Sequence, residues 1–192
     1  MPEIQIDSLD FSYPDKQVFR DFSLSLSGCG IYTLIGASGS GKTTLFRLLL
    51  GLEKPSAGKI TVSGFPAAVF QEYRLFPHLT AAANVSILRD KPKEGLADAR
   101  RLLRLLGFTD TDTELYPKEL SGGMKQRVSI ARALFSDAEI LLLDEPTKEL
   151  DEALRTTLYG ILTERAKSSL ILLSTHRTEE TELLGAKPIR IE

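Results

Sequence analysis

Tryptophan is absent and cysteine occurs once, at Cys29. A single thiol excludes any internal disulfide and suits a reducing compartment. The chain also lacks an excess of either charge, because 24 basic and 26 acidic residues leave a net charge of −2. That balance gives no support to general nucleic-acid binding, and none is expected. Long apolar runs are missing as well. ILLL at 140–143 is typical of the longest, far short of the roughly 20 residues that span a bilayer. The opening MPEIQIDSLDF has no basic stretch followed by an apolar core, so no secretory leader is expected. Work at a membrane would require docking onto a partner that spans it. Neither internal repeats nor low-complexity segments are visible.

What is present is an ordinary globular composition, 42% hydrophobic and 26% charged over 192 residues. That length suits one domain with its own core. Imperfect alternation at 4–13 predicts an edge or outer strand, and clean alternation in FSLSL at 22–26 predicts a half-buried one. GIYTLIG at 30–36 predicts a central parallel strand, followed by a helix through KTTLFRLLLG that ends near Gly51. KITV and AAVF, at 59–62 and 67–70, predict two short strands. Residues 72–119 differ: Leu96, Ala99, Leu102, Leu103 and Leu106 recur at helical spacing, with Gly107 as the stop. Sheet signals return at 139–143 and 169–174, and a last strand is expected near 187–191. Helices are expected at 123–135, 151–166 and 178–184. The alternation predicts an α/β fold with a mostly parallel sheet. A single domain, 1–192, is expected, with a sheet-containing core (1–71 and 128–192) and a mainly helical part (72–127).

GASGSGKTT at 36–44 matches GxxxxGK[ST] and lies between a predicted strand and a predicted helix. Glycines let the backbone turn around phosphate oxygens, and the turned backbone with the helix start offers free N–H donors. The candidate phosphate contacts run through Gly36, Ala37, Ser38, Gly39, Ser40, Gly41, Lys42, Thr43 and Thr44. Lys42 would bring a positive charge to the β- and γ-phosphates, and the Thr43 hydroxyl would ligate Mg²⁺. ILLLDE at 140–145 ends an apolar strand in two carboxylates, which implies a cation or a task nearby. Asp144 would hold Mg²⁺; Glu145 would orient or deprotonate an attacking water. Gln71 and His176 also follow predicted strands, where ligands of open α/β sheets collect. The Gln71 amide would touch Mg²⁺ or the water, and His176 would donate to the γ-phosphate.

A second glycine pair stands in LSGGMKQR at 120–127. Ser121 is a good N-cap, while Gly122 and Gly123 leave N–H groups open at a helix mouth. Taken alone, Ser-Gly-Gly also reads as a loop-to-helix hinge.

Taken in order, DFSYPDKQVF, GASGSGKTT, VFQEYRLFPHLT, LSGGMKQR, ILLLDEPT, LDE and STH make the chain resemble the nucleotide-binding domain of ABC transporters over nearly its whole length. The resemblance implies a P-loop NTPase core with N-terminal antiparallel strands and an inserted helical subdomain. It implies ATP and Mg²⁺ as ligands, and a head-to-tail dimer with a nucleotide between the phosphate loop of one copy and the signature octet of the other. Ser121, Gly122 and Gly123 would then meet the γ-phosphate held by the second copy, with Gln126 supporting them. Tyr13 would stack on adenine, Glu145 would serve hydrolysis, His176 would act as the switch histidine, and Asp151 would lie in the loop that crosses the dimer. Partners implied are transmembrane permease subunits, met around Glu72–His78, and indirectly a solute-binding protein. The implied location is the cytoplasmic membrane face, peripheral, soluble when isolated. LSGGMKQR with FQEYRLFPHLT is most similar to ATPases of nitrate, sulfonate and taurine importers.

Two departures stand out: TKEL before Asp151, where Ser-Ala-Leu is commoner, and Arg177 after His176, where aspartate is usual. Neither removes a phosphate, Mg²⁺ or hydrolysis residue, so an active ATPase is expected. A soluble ABC-type ATPase and a P-loop small-molecule kinase are the alternatives. The first usually carries extra domains, and the second needs an acceptor pocket rather than a Ser-Gly-Gly helix start.

Overall fold

The computed structural model describes residues 1–88 and 93–191. Strands β1 (Glu3–Tyr13), β2 (Lys16–Ser27) and β4 (Ala57–Ser63) form an antiparallel sheet in the order β2-β1-β4. Ile4 and Ile6 of β1 point into the core by strand alternation, and an irregularity around Ser8 (φ 45°) shifts the phase so that Leu9 and Phe11 do so as well. Strand β2 begins at Lys16, well before the 22–26 expected from its pattern. Its first half pairs Phe19 with Phe11 of β1, and that cross-strand pairing supplies what local alternation does not.

The second sheet is parallel, ordered β5-β6-β7-β3-β8. Its strands are β3 (Gly30–Ile35), β5 (Pro66–Val69), β6 (Ile140–Asp144), β7 (Leu170–Thr175) and β8 (Lys187–Arg190). Every residue of β6 and β7 is buried, because this sheet is covered on both faces. Leu141, Leu143, Ile171 and Leu173 face one apolar cluster. Ile140, Leu142, Leu170 and Leu172 face the other, with the antiparallel sheet and helix α1 (Lys42–Leu49). Each fully buried leucine contributes about 2 kcal/mol, so a one-residue slip of either strand would exchange both faces at once.

Residues 72–127 carry helices α2 (Ala81–Ser86) and α3 (Leu96–Leu105), two short 3₁₀ turns and the start of α4 (Gly122–Phe135). Residues 89–92 of that stretch lie outside the described residues. Helix α2 starts where the Thr80 hydroxyl accepts the Ala83 N–H. Helix α3 buries Ala99 and Leu103, and the chain turns at Gly107, whose φ of 82° favours glycine. Helices α5 (Glu152–Arg165) and α6 (Thr178–Leu183) complete the layers. The carboxyl ends of β3, β5, β6 and β7 therefore lie along one edge of the parallel sheet.

Candidate active site

Strand β3 delivers the loop 36–41 into helix α1. Glycine is required at two points of this turn. A Cβ on Gly36 would lie 2.6 Å from the Ile191 carbonyl oxygen, and Gly41 adopts φ 102° with Val18 Cγ1 2.5 Å from where its Cβ would stand. Gly41 occupies the N-cap position without a capping side chain, so backbone donors at the mouth of α1 face the cleft. Lys42 is buried, and its Nζ donates to the carbonyls of Gly36 at 2.7 Å and Ala37 at 2.9 Å. Burial pushes the Lys42 pKa down, against the pull of the Glu145 and Asp144 carboxylates.

The Thr43 hydroxyl donates to Asp144 Oδ2 at 2.6 Å, which joins the phosphate loop to the end of β6. Ser174 Oγ donates to Asp144 Oδ1 at 2.6 Å and accepts the Glu145 N–H at 2.9 Å. This serine fixes both carboxylate-bearing residues from the neighbouring strand β7. Glu145 has φ 49°, an uncommon conformation outside glycine, so the tight turn after β6 stores strain at this carboxylate-bearing residue. Glu145 Oε1 meets His176 Nε2, while Oε2 meets Lys148 Nζ at 3.1 Å and accepts from Gln71 Nε2 at 3.4 Å. Burial raises the Glu145 pKa, but Lys148 and His176 outweigh it and hold the carboxyl below its usual range.

Lys42, Thr43, Gln71, Asp144, Glu145 and His176 line one cleft of about 280 Å³, while Lys148 and Ser174 stand outside it. Of the expected residues, Tyr13, Ser38, Gly39, Gly41, Lys42, Thr43, Thr44, Gln71, Asp144, Glu145 and His176 face it. Tyr13 stands at the rim, 37% exposed, with Phe11 edge-on behind it at 5.0 Å. Gly36 and Ala37 receive the Lys42 ammonium. Ser40 has a buried Oγ without a hydrogen-bond partner. Ser121 and Gly122 are exposed at the mouth of α4, and neither they nor Gly123 line the cleft. Gln126, expected beside them, is buried, and its Nε2 donates to the carbonyls of Glu145 at 3.3 Å and Pro146 at 3.4 Å. Lys16 and Val18 line the cleft without having been expected; Lys16 Nζ donates to Gly39 O at 2.6 Å. Their only sequence signal is a place three to five residues after Tyr13, in the strand that folds back over the loop.

Among the described residues no three His, Cys, Asp or Glu side chains gather as a metal cage. Thr43 and Asp144 instead offer a hydroxyl and a carboxylate at contact distance. That hard, oxygen-only pair beside a phosphate-sized turn fits Mg²⁺ arriving with a nucleotide, since Mg²⁺ takes few protein ligands and shares phosphate oxygens. The amides of the turn fit the phosphates. No described helix is long and apolar enough to cross a membrane.

A family model described as ABC transporter matches residues 19–148. The aliphatic sulfonates import ATP-binding protein SsuB of Corynebacterium glutamicum is 39% identical over 190 residues, covering 96% of this chain and 78% of that protein. The ergothioneine transport ATP-binding protein EgtV of Helicobacter pylori is 32% identical, with 98% and 97% covered. The ATP-binding cassette MJ0796, solved as a dimer in a post-hydrolysis state with ADP and Pi, shares the fold at a TM-score of 0.86 and 23% identity, with 98% and 94% covered. Together with the motif order and the cleft, the family model and the relatives show that the chain belongs to the ABC transporter family, as an ATP-binding domain of the ABC ATPase type.

Proposed function

We propose that the chain is the ATPase subunit of an importer, working as a pair of identical copies on a separate membrane permease. The observation that carries the reading is the convergence of Lys42, the Thr43–Asp144 pair and the Glu145–His176 pair in one cleft. In this reading the triphosphate lies in the loop 36–44, with Tyr13 against adenine. Thr43 and Asp144, with the Gln71 amide oxygen, would hold Mg²⁺, which would supply charge neutralisation at the triphosphate. Glu145 orients the attacking water in line with the γ-phosphate, and His176 keeps one carboxylate oxygen in place. Lys42 and the loop amides stabilise the charge that develops on the leaving phosphate.

The exposed mouth of α4 supports the need for a second copy, since Ser121, Gly122 and Gly123 do not face their own cleft. The named relatives support import, and the sulfonate importers among them make a small solute of that kind the first cargo to test. The same reading treats 1–192 as one ATPase domain, with 72–127 as the part that meets the permease and carries the signature octet. Peripheral attachment at the cytoplasmic membrane face follows from that partnership.

The test is Glu145→Gln. Hydrolysis of MgATP should fall at least 100-fold, the scale set by loss of a general base, while ATP-dependent pairing persists in size-exclusion chromatography. A variant that hydrolyses like the wild type sinks the assignment.

A further inference from the structure

Glu145 needs an open carboxylate lone pair to hold an attacking water, and within a single chain Oε2 has both of its lone pairs engaged while Oε1 has one. His176 takes Oε1, and Lys148 and Gln71 take Oε2. His176 and Gln71 stand beyond the ends of other strands, so their positions depend on the sheet. Lys148 is different. It sits on the same turn as Glu145, three residues on, and its N–H donates to the Glu145 carbonyl at 3.3 Å. The contact therefore forms inside one short segment, needs no second element, and moves with the carboxylate.

We infer that Lys148 is a positioning residue that restrains Glu145: its ammonium occupies Oε2 in the resting chain and must withdraw before that oxygen can take a water. The inference rests on Glu145 being the hydrolytic carboxylate. Three observations support it. The Lys148 side chain is 62% exposed against 10% for Glu145, so the cation is free to leave while the carboxylate is fixed. A small cleft of about 100 Å³, lined by Glu145, Thr147, Lys148, Thr175, His176 and Arg177, gives the ammonium somewhere to swing. Lysine is a point charge on a flexible stem, so release costs little geometry. The ammonium also offsets the negative charge that Glu145 and Asp144 present to an incoming triphosphate. Restraint of the water step and easier nucleotide entry are thus two sides of one contact.

The experiment uses the full chain with MgATP, at concentrations that let two copies pair, and compares wild type, Lys148→Ser, Lys148→Arg and Glu145→Gln. For Lys148→Ser, kcat should rise about threefold and KM should rise by a similar factor, within what one exposed ion pair supplies. Its melting temperature should stay at the wild-type value, since the side chain is exposed. Lys148→Arg keeps the charge and should keep turnover low. An unchanged or lower kcat in Lys148→Ser, with Glu145→Gln inactive, overturns the restraint alone. A rise in both Lys148 variants also overturns it, because charge would not be the cause. Retained hydrolysis in Glu145→Gln overturns the catalytic reading of Glu145 and this inference with it.

Discussion

Helices α1 and α4 both open on glycine-bearing turns, and they differ in capping, burial and surroundings. Helix α1 begins at Gly41, uncapped, inside a concave cleft with a buried lysine and two carboxylates at hand. Helix α4 begins at Ser121, whose hydroxyl accepts the Met124 N–H at 3.3 Å, on an exposed surface. Both mouths carry the partial positive charge of a helix start. Only the first has the walls, the cation and the carboxylates that turn such a start into a reaction site. The second has an exposed donor surface flanked only by the Tyr73 hydroxyl and the Glu149 carboxylate among its near neighbours, an open half that suits a shared site.

The contrast can be broken from either side. The largest effect should come from Lys42→Ala. It removes the one buried cation of the first mouth, so ATP affinity measured by calorimetry should drop by about 100-fold, a loss of roughly 2.7 kcal/mol, with turnover abolished. Next is Ser121→Arg, which places a bulky cation at the second mouth. Nucleotide affinity of the single chain should stay within about twofold, since Ser121 lies outside the cleft, while ATP-driven pairing and turnover disappear. Normal turnover in that variant would reduce the octet to a hinge. The smallest effect separates the two glycines on stability. Gly41→Ala meets φ 102° and Val18 at 2.5 Å, so it should cost about 2 kcal/mol and lower the melting temperature by about 6 °C. Gly122→Ala meets only the Tyr73 hydroxyl at 3.3 Å and Glu149 Oε2 at 3.6 Å, and should melt within about 1 °C of wild type. Equal melting shifts would mean that the two turns are under the same backbone constraint.

How much of this could be read from the sequence follows the range of the forces involved. Strands β6 and β7 were legible because both faces are buried, which writes continuous apolar runs into ILLLD and LILLST. Lys42, Thr43, Asp144 and Glu145 were legible because each sits at a fixed offset from a strand end. Lys16 and Val18 were not, because their place depends on a hairpin folding back over the phosphate loop. Gln126 was read from its neighbours in the octet, yet it is on the inner side of α4 and grips the backbone behind Glu145. Ser174 belongs to no motif, and only the parallel register with Asp144 gives it a task. Buried Asn84 is similar: it accepts the Phe76 N–H and donates to the Phe76, Leu79 and Thr80 carbonyls, ordering the approach to α2 without any motif.

The two hydrogen bonds from Lys42 to the carbonyls of Gly36 and Ala37 have a kinetic meaning. A phosphate that draws the ammonium must outcompete two oxygens already in good geometry, so the lysine contributes only the difference between the two sets of bonds. That tempers how long any nucleotide stays. In the proposed cycle, once the γ-phosphate departed the carbonyls would be at hand to take the ammonium back, and the diphosphate would lose part of its hold. A loop that binds its own lysine in this way would reset itself for the next nucleotide.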